Sequence, residues 1–360
     1  MGLTFEGETI EDEIIEEVRS PKRRRRLKKP VLVAIILISV SVVLGAAWTV
    51  VKKFFPNLIP QMTRSVDEGF VADETGAYSD WTVMERVSAD MEQGFAMQLP
   101  QGVNAKAISI ENHYRDRALL IRLSGIKASD FVSTYVSGNV SEISVVAWKA
   151  KDNEILVSFQ MSEIWEYEVT QEGSKLVVKN TAVRELYDTV VVLDPIYSSS
   201  ISDDVTAEVA EACALLAAEN GVKVYITRGI GSERSEAERL ALILDTDADY
   251  VIEISVSADS DSSKYGLSAY YNDRYYNPAC DNVSVADTVL KNLATTVKNR
   301  ANAIEPAAED SLLMLVKQPA AGVNIGFSSN SDEWALLQKD SYRKALAIGI
   351  LNGINEMKEE

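Results

Sequence analysis

Residues 31–51 read VLVAIILISVSVVLGAAWTVV, an apolar run without one charge. At about 1.5 Å per residue a helix of this length spans a hydrocarbon core of roughly 30 Å, so the pattern predicts a single transmembrane helix within 30–53. The next stretch, 54–104, keeps no sustained period and contains Pro56, Pro60 and Pro100. It reads as a linker or stalk, with one helical stretch over 84–97. From 105 to 182 the pattern changes to short alternating or apolar runs such as ALLIRL and ILVSFQ, with the turn signal EGSK near the end. That is the pattern of a small antiparallel β-domain, a sandwich by size.

From 187 to 360 β-type and α-type segments alternate. DTVVVLD is a buried-type strand, and DDVTAEVAEACALLAAENG is a helix closed by Gly221. VKVYITR and ADYVIEISVSAD are further strands, and Ser232 and Ser235 are both candidate caps for the helix between them. GLSAYYN, a helix over VADTVLKNLATTVKNRA, and the strands SLLMLV and GVNIGF follow, before one long closing helix from about 331. The expected class is α/β, a mostly parallel sheet flanked by helices.

Charge places these pieces about the membrane. KRRRRLKK, ahead of the apolar run, holds seven basic residues, and only Lys52 and Lys53 follow it closely. Basic flanks stay cytoplasmic, so the tail 1–29 is inside and the rest extracytoplasmic. The tail carries eight basic and seven acidic residues, net +1, so of the chain's net charge of −18 the remainder holds −19. Such an acidic chain offers phosphates no positive footprint, and nucleic acid is not an expected partner.

Two cysteines exclude a disulfide framework and a Cys-rich zinc module. Cys213 sits on the apolar stripe of a helix and reads as a small core residue, with a Cys213–Cys280 disulfide left open. Tyr270, Tyr271, Tyr275 and Tyr276 read as a strand edge and its turn, with sugar stacking as the alternative. The single histidine, His113, lies in the polar turn ENHYRDR and reads as a surface residue. One histidine excludes any site needing two imidazoles from this chain.

Residues 189–355 resemble the zinc-dependent N-acetylmuramoyl-L-alanine amidases of bacterial cell-wall turnover. VVVLDP (190–195) resembles the strand leading into that family's D-P-G-H-G-G, and NGVKVYITR (220–228) its second strand with a terminal Thr-Arg. SEAERLALILDTDADYVIEIS (235–255) resembles the approach to S-I-H-A-N. GFSSN (326–330), the most specific piece, resembles G-F-x-S-N with its closing helix. The 105–182 domain is similar in size, position and its closing GSKLVVKN to the wall-associating AMIN-type sandwich.

The resemblance implies a Zn²⁺ held by two His and one Glu, with a second Glu as base. Three protein ligands leave one position for a water that the metal acidifies to a pKa of about 7. Carried over by position, the first His falls on Tyr197, the Glu ligand on Ser202, the second His on Ser255 and the catalytic Glu on Asn324. A register slip of one or two residues puts Asp203 or Asp204 in place of Ser202. No catalytic residue and no zinc are expected. A residual pocket of Asp194, Tyr197, Asp203, Glu253, Ser255 and Asn324 is left. Glu253, Asp194, Asp203, Asp204 and Asp259 could gather around Ca²⁺ or Mg²⁺, or the aspartates could serve as helix-start and loop acids. The function implied is a single-pass, extracytoplasmic pseudoenzyme. Its partners would be peptidoglycan or proteins of the wall, division or sporulation machinery. The alternative is an amidase with a displaced or non-zinc site.

Overall fold

Seven consecutive residues, Thr189–Pro195, are buried, because this strand lies inside a sheet covered on both faces. The computed structural model describes residues 58–59, 61–62, 81–89, 91, 94–131, 135–198, 203–275 and 280–359. The expected tail, transmembrane helix and Ser202 lie outside these residues. Among the described residues no helix is long and apolar enough to cross a membrane.

The strands of the C-terminal domain, numbered within it, are β1 (Thr189–Pro195), β2 (Val222–Ile226), β3 (Tyr250–Ser257), β4 (Leu267–Tyr271), β5 (Ala301–Pro306) and β6 (Ala320–Phe327). Their order in the sheet is β2-β1-β3-β6-β4-β5. The pairs β1–β2, β1–β3, β3–β6 and β4–β5 are parallel. β4 meets β6 antiparallel, so the sheet is mixed. The helices are α1 (Val205–Ala218), α2 (Glu236–Asp245), α3 (Asn282–Val297), α4 (Ser331–Leu337) and α5 (Asp340–Glu359).

Alternation along the strands sorts the core. Val191, Leu193, Ile252, Ile254 and Val323 face α1, α3 and α5. Val190, Val192, Val251 and Ala320 face the other way, onto α2 and the 3₁₀ turn Leu312–Leu315. Ser235 caps α2 in a reciprocal box with Glu238. Three expectations fail here. SLLMLV forms that 3₁₀ turn rather than a strand, because β4 and β6 pair directly and leave it no place in the sheet. β5 was not foreseen, since ANAIEP is largely exposed and lacks a strand's apolar alternation. The closing helix is broken between α4 and α5 at Gln338 and Lys339.

The preceding domain is a sandwich of two six-stranded sheets, and it begins earlier than expected. One sheet runs Leu58–Ile59, Glu166–Glu172, Lys175–Thr181, Phe95–Gln98, Val136–Gly138, Arg86–Ser88. The other runs Gln61–Met62, Ile108–His113, Ala118–Ser124, Glu154–Met161, Ile143–Lys151, Thr82–Val83. Residues 54–104, read as linker with a helix over 84–97, thus supply strands. Phe95 and Met97 are pinned into the core, where the Phe95 ring stacks on Phe159 at 4.8 Å. Strands this short carry too little periodicity to be read from sequence.

The turn ENHYRDR is not a surface feature. His113 is only 6% exposed and lies 3.1 Å from Glu111 Oε2, an equally buried carboxylate. The next residues dock the sandwich on the sheet. The Tyr114 hydroxyl donates to Ile226 O at 3.2 Å and accepts from Ile226 N at 3.0 Å. Arg115 Nε donates to the same carbonyl at 2.8 Å, and the Tyr114 ring meets Tyr225 edge-on at 5.0 Å. Arg234 pairs with Asp116 and Arg117 with Asp245. Tyr114, Ile164 and Val183 join α2 in covering the second face of the sheet. Tyr114→Phe is expected to destabilise the chain by about 1–3 kcal/mol, because it strands the buried Ile226 N–H. Urea unfolding checks this, and an unchanged midpoint and slope would show that water replaces the hydroxyl.

Candidate functional site

The apolar cover ends one residue before the carboxyl end of β1, and there Asp194 is buried. A carboxylate in that position needs partners. Thr227 Oγ1 donates to Oδ1, and Arg239 donates to Oδ2 at 2.6 Å. Asp194 stands in register with Glu253 on β3, and Glu253 with Gly322 on β6. A Cβ added at Gly322 would lie 3.5 Å from Glu253 Oε1 and 3.6 Å from the Tyr270 ring, so these two side chains flank the glycine. Among the described residues no hydrogen bond reaches the half-buried Glu253 carboxyl. Burial first, then the Asp194 charge, pushes its pKa up to about 7, with Arg239 opposing.

One row further along the strands, Ser255 pairs in register with Asn324, and Asn324 with Ser268. Ser255 Oγ donates to Val323 O at 3.4 Å. Asn324 is fully enclosed: its Oδ1 accepts from Ser257 N at 2.9 Å, but its Nδ2 has no acceptor. Tyr197, beyond β1, is 40% exposed, with the Arg228 guanidinium 5.2 Å from its ring centre. The structure thus brings together Asp194, Glu253, Ser255 and Asn324. Tyr197 stands by Arg228.

Of the acids expected to gather around a cation, the four aspartates are separately engaged, Asp194 by Arg239. Asp204 is forked by Arg228, at 2.6 Å and 2.8 Å, and accepts from Gly231 N. Burial alone would raise its pKa, yet Arg228 and the Gly231 N–H outweigh that and hold it below the usual carboxylate range. Asp203 accepts from Gln338 at 3.0 Å, and the half-buried Asp259 pairs with Lys264 at 2.6 Å. Among the described residues no three His, Cys, Asp or Glu side chains converge as metal ligands. Cys213 is a thiol sealed in the helix-side core, where burial pushes its pKa up to about 12.

The GFSSN segment is an anchoring device. Gly326 has φ +144°, and a Cβ there would stand 3.0 Å from Glu333. Glu333 accepts from Gly266 N, Asn299 and Phe327 N, and Asn330 caps α4. Sequence reasoning overlooked Arg239 as the counter-ion of Asp194. The one signal was a basic residue on the inward face of an amphipathic helix.

A family model for N-acetylmuramoyl-L-alanine amidase matches residues 197–356, which run from Tyr197 through Ser255, the GFSSN segment and most of α5. These residues are a domain of the N-acetylmuramoyl-L-alanine amidase family. A curated relative of this amidase domain is the germination-specific N-acetylmuramoyl-L-alanine amidase of Bacillus subtilis (strain 168). It is 28% identical over 168 residues, 43% of this chain and 69% of that protein. Among solved structures, the CwlD amidase of Clostridioides difficile in complex with the GerS lipoprotein matches at 19% identity and TM-score 0.42. That match covers 48% of this chain and 98% of CwlD. AmiC2 of Nostoc punctiforme matches at 18% and TM-score 0.43, over 48% of this chain and 98% of its own.

Proposed function

We propose that the chain is a membrane-anchored, extracytoplasmic wall protein whose amidase domain binds peptidoglycan and does not cleave it. The observation that carries this reading is the composition of the site. Where the family chemistry calls for imidazoles and a carboxylate base, this chain presents Tyr197, Ser255 and Asn324. Its one histidine is buried in the other domain against Glu111. Neutral hydroxyls and an amide do not fit a catalytic zinc, which is held by imidazole, thiolate and carboxylate donors. Asp194 and Asp204 cannot step in, because each already neutralises an arginine. The scaffold around these positions is meanwhile well packed, as at Gly326 against Glu333. Binding without cleavage is what such a surface can still perform.

The full chain, purified in detergent, is expected to sediment with peptidoglycan sacculi, to carry no stoichiometric zinc by elemental analysis, and to release no L-alanine-bearing peptide. Release of such peptides would overturn the binding-only reading. Sensitivity of that release to EDTA would then separate a metal-dependent from a metal-free hydrolase. Failure to sediment would remove the wall as its ligand.

A further inference from the structure

We infer that the face around Glu253 and Asn324 holds a free α-ammonium group together with the carbonyl next to it. That is the amine end of a peptide already cut from muramic acid, preferred over the same peptide still acylated on nitrogen. The inference deepens the wall-binding reading and rests on it for the source of the ligand.

Two unmet demands of opposite sense lie on one face of the sheet. The first is for positive charge. Asp194 and Glu253 stand side by side in register with one guanidinium between them, and Arg239 donates to Asp194 alone. Both Asp194 oxygens are occupied, whereas among the described residues nothing donates to Glu253. An ammonium beside Glu253 would supply the missing donors and balance the second carboxylate. The second demand is for an acceptor. Asn324 Nδ2 is an enclosed donor with no partner, two residues along β6 from the Gly322 that Glu253 covers, and alternation puts it on the same face. Glu253, Ser255, Ser268 and Tyr270 around it are only half-buried, so the amide lies at the floor of a face open to solvent.

An amine terminus offers both complements a short distance apart, the ammonium as donor and its own carbonyl as acceptor. Acylation removes the charge from that nitrogen and leaves it a single N–H. The site therefore distinguishes the two forms by charge. No bond is made or broken in this recognition.

The test titrates the full chain with L-alanyl-D-isoglutamine, which has a free α-ammonium, and with its N-acetyl derivative. The free dipeptide is expected to bind about tenfold tighter or more. Glu253→Gln, an isosteric change, is expected to abolish that preference by weakening the free form alone. Asn324→Asp keeps the acceptor for Ser257 N, removes the donor and is expected to weaken both forms. Far-ultraviolet circular dichroism confirms that each variant is folded. Equal affinity for the two dipeptides, no binding of either, or a preference untouched by Glu253→Gln overturns the inference. Sacculus binding is scored separately. Retained sacculus binding without dipeptide preference sinks this inference and spares the wall-binding reading, whereas loss of sacculus binding sinks that reading.

Discussion

Replacing Arg228 by alanine is expected to lower the unfolding free energy by about 3–5 kcal/mol, the range for breaking a buried ion pair by deleting one member. Arg228 is 1% exposed, and its guanidinium is fully used. It forks onto Asp204, donates through Nε to Pro195 O at 2.6 Å and reaches Thr206 Oγ1 at 3.0 Å. Alanine would leave a half-buried carboxylate unpaired and a buried carbonyl without its donor. Arg228→Lys keeps the charge but cannot reproduce the planar fork, so its loss should be intermediate. Urea unfolding of the three proteins checks the order. A loss below about 1 kcal/mol for the alanine variant would mean that water enters and solvates Asp204. The pH dependence gives a second readout. Asp204 titrates below its unfolded value, so its contribution is present above that value and is lost as pH falls through the folded one. The alanine variant should lack this acid limb.

Glu253→Gln is expected to act in the opposite direction and to stabilise the protein above neutrality. The folded carboxyl takes up its proton near pH 7, against about 4.5 when unfolded. The folded state therefore holds more protons between those values, and stability falls as pH rises through that window. Above it the penalty is constant, on the order of 3–4 kcal/mol at about 1.4 kcal/mol per pKa unit. Burial sets most of it, the Asp194 and Glu236 charges add to it and Arg239 opposes it, and glutamine removes the ionisation without changing the shape. Melting temperatures from pH 5 to 9 should nearly coincide for the two proteins at pH 5, draw apart as pH rises to 7, and keep a constant gap above it. Parallel curves would mean that the carboxyl is solvated at all pH values.

The α/β class and most strand positions were legible because β1 and β6 are buried on both faces, and because β3 still carries an apolar residue at every second position. The boundary of the sandwich was not. Arg86–Ser88 and Phe95–Gln98 are too short to show a period, and only their partners define them. At the site, alternation along β3 put Glu253 and Ser255 on one face, and register with β6 brought in Asn324. What no spacing could reveal was the allocation of counter-ions. Asp194 belongs to Arg239 and Asp204 to Arg228, pairs 45 and 24 residues apart in the chain. His113 was misread for a related reason. A polar turn looks solvent-exposed until a second domain is packed upon it.

The Tyr114 contact also decides where this sheet can grow. It occupies both outward-facing backbone groups of Ile226 on β2, so a tyrosine from the neighbouring domain stoppers that margin. The opposite margin, β5, is exposed and carries Glu305 and ends in Pro306, which has no N–H to offer. A sheet blocked at one end and discouraged at the other can accept at most a single added strand. It cannot template stacking from copy to copy.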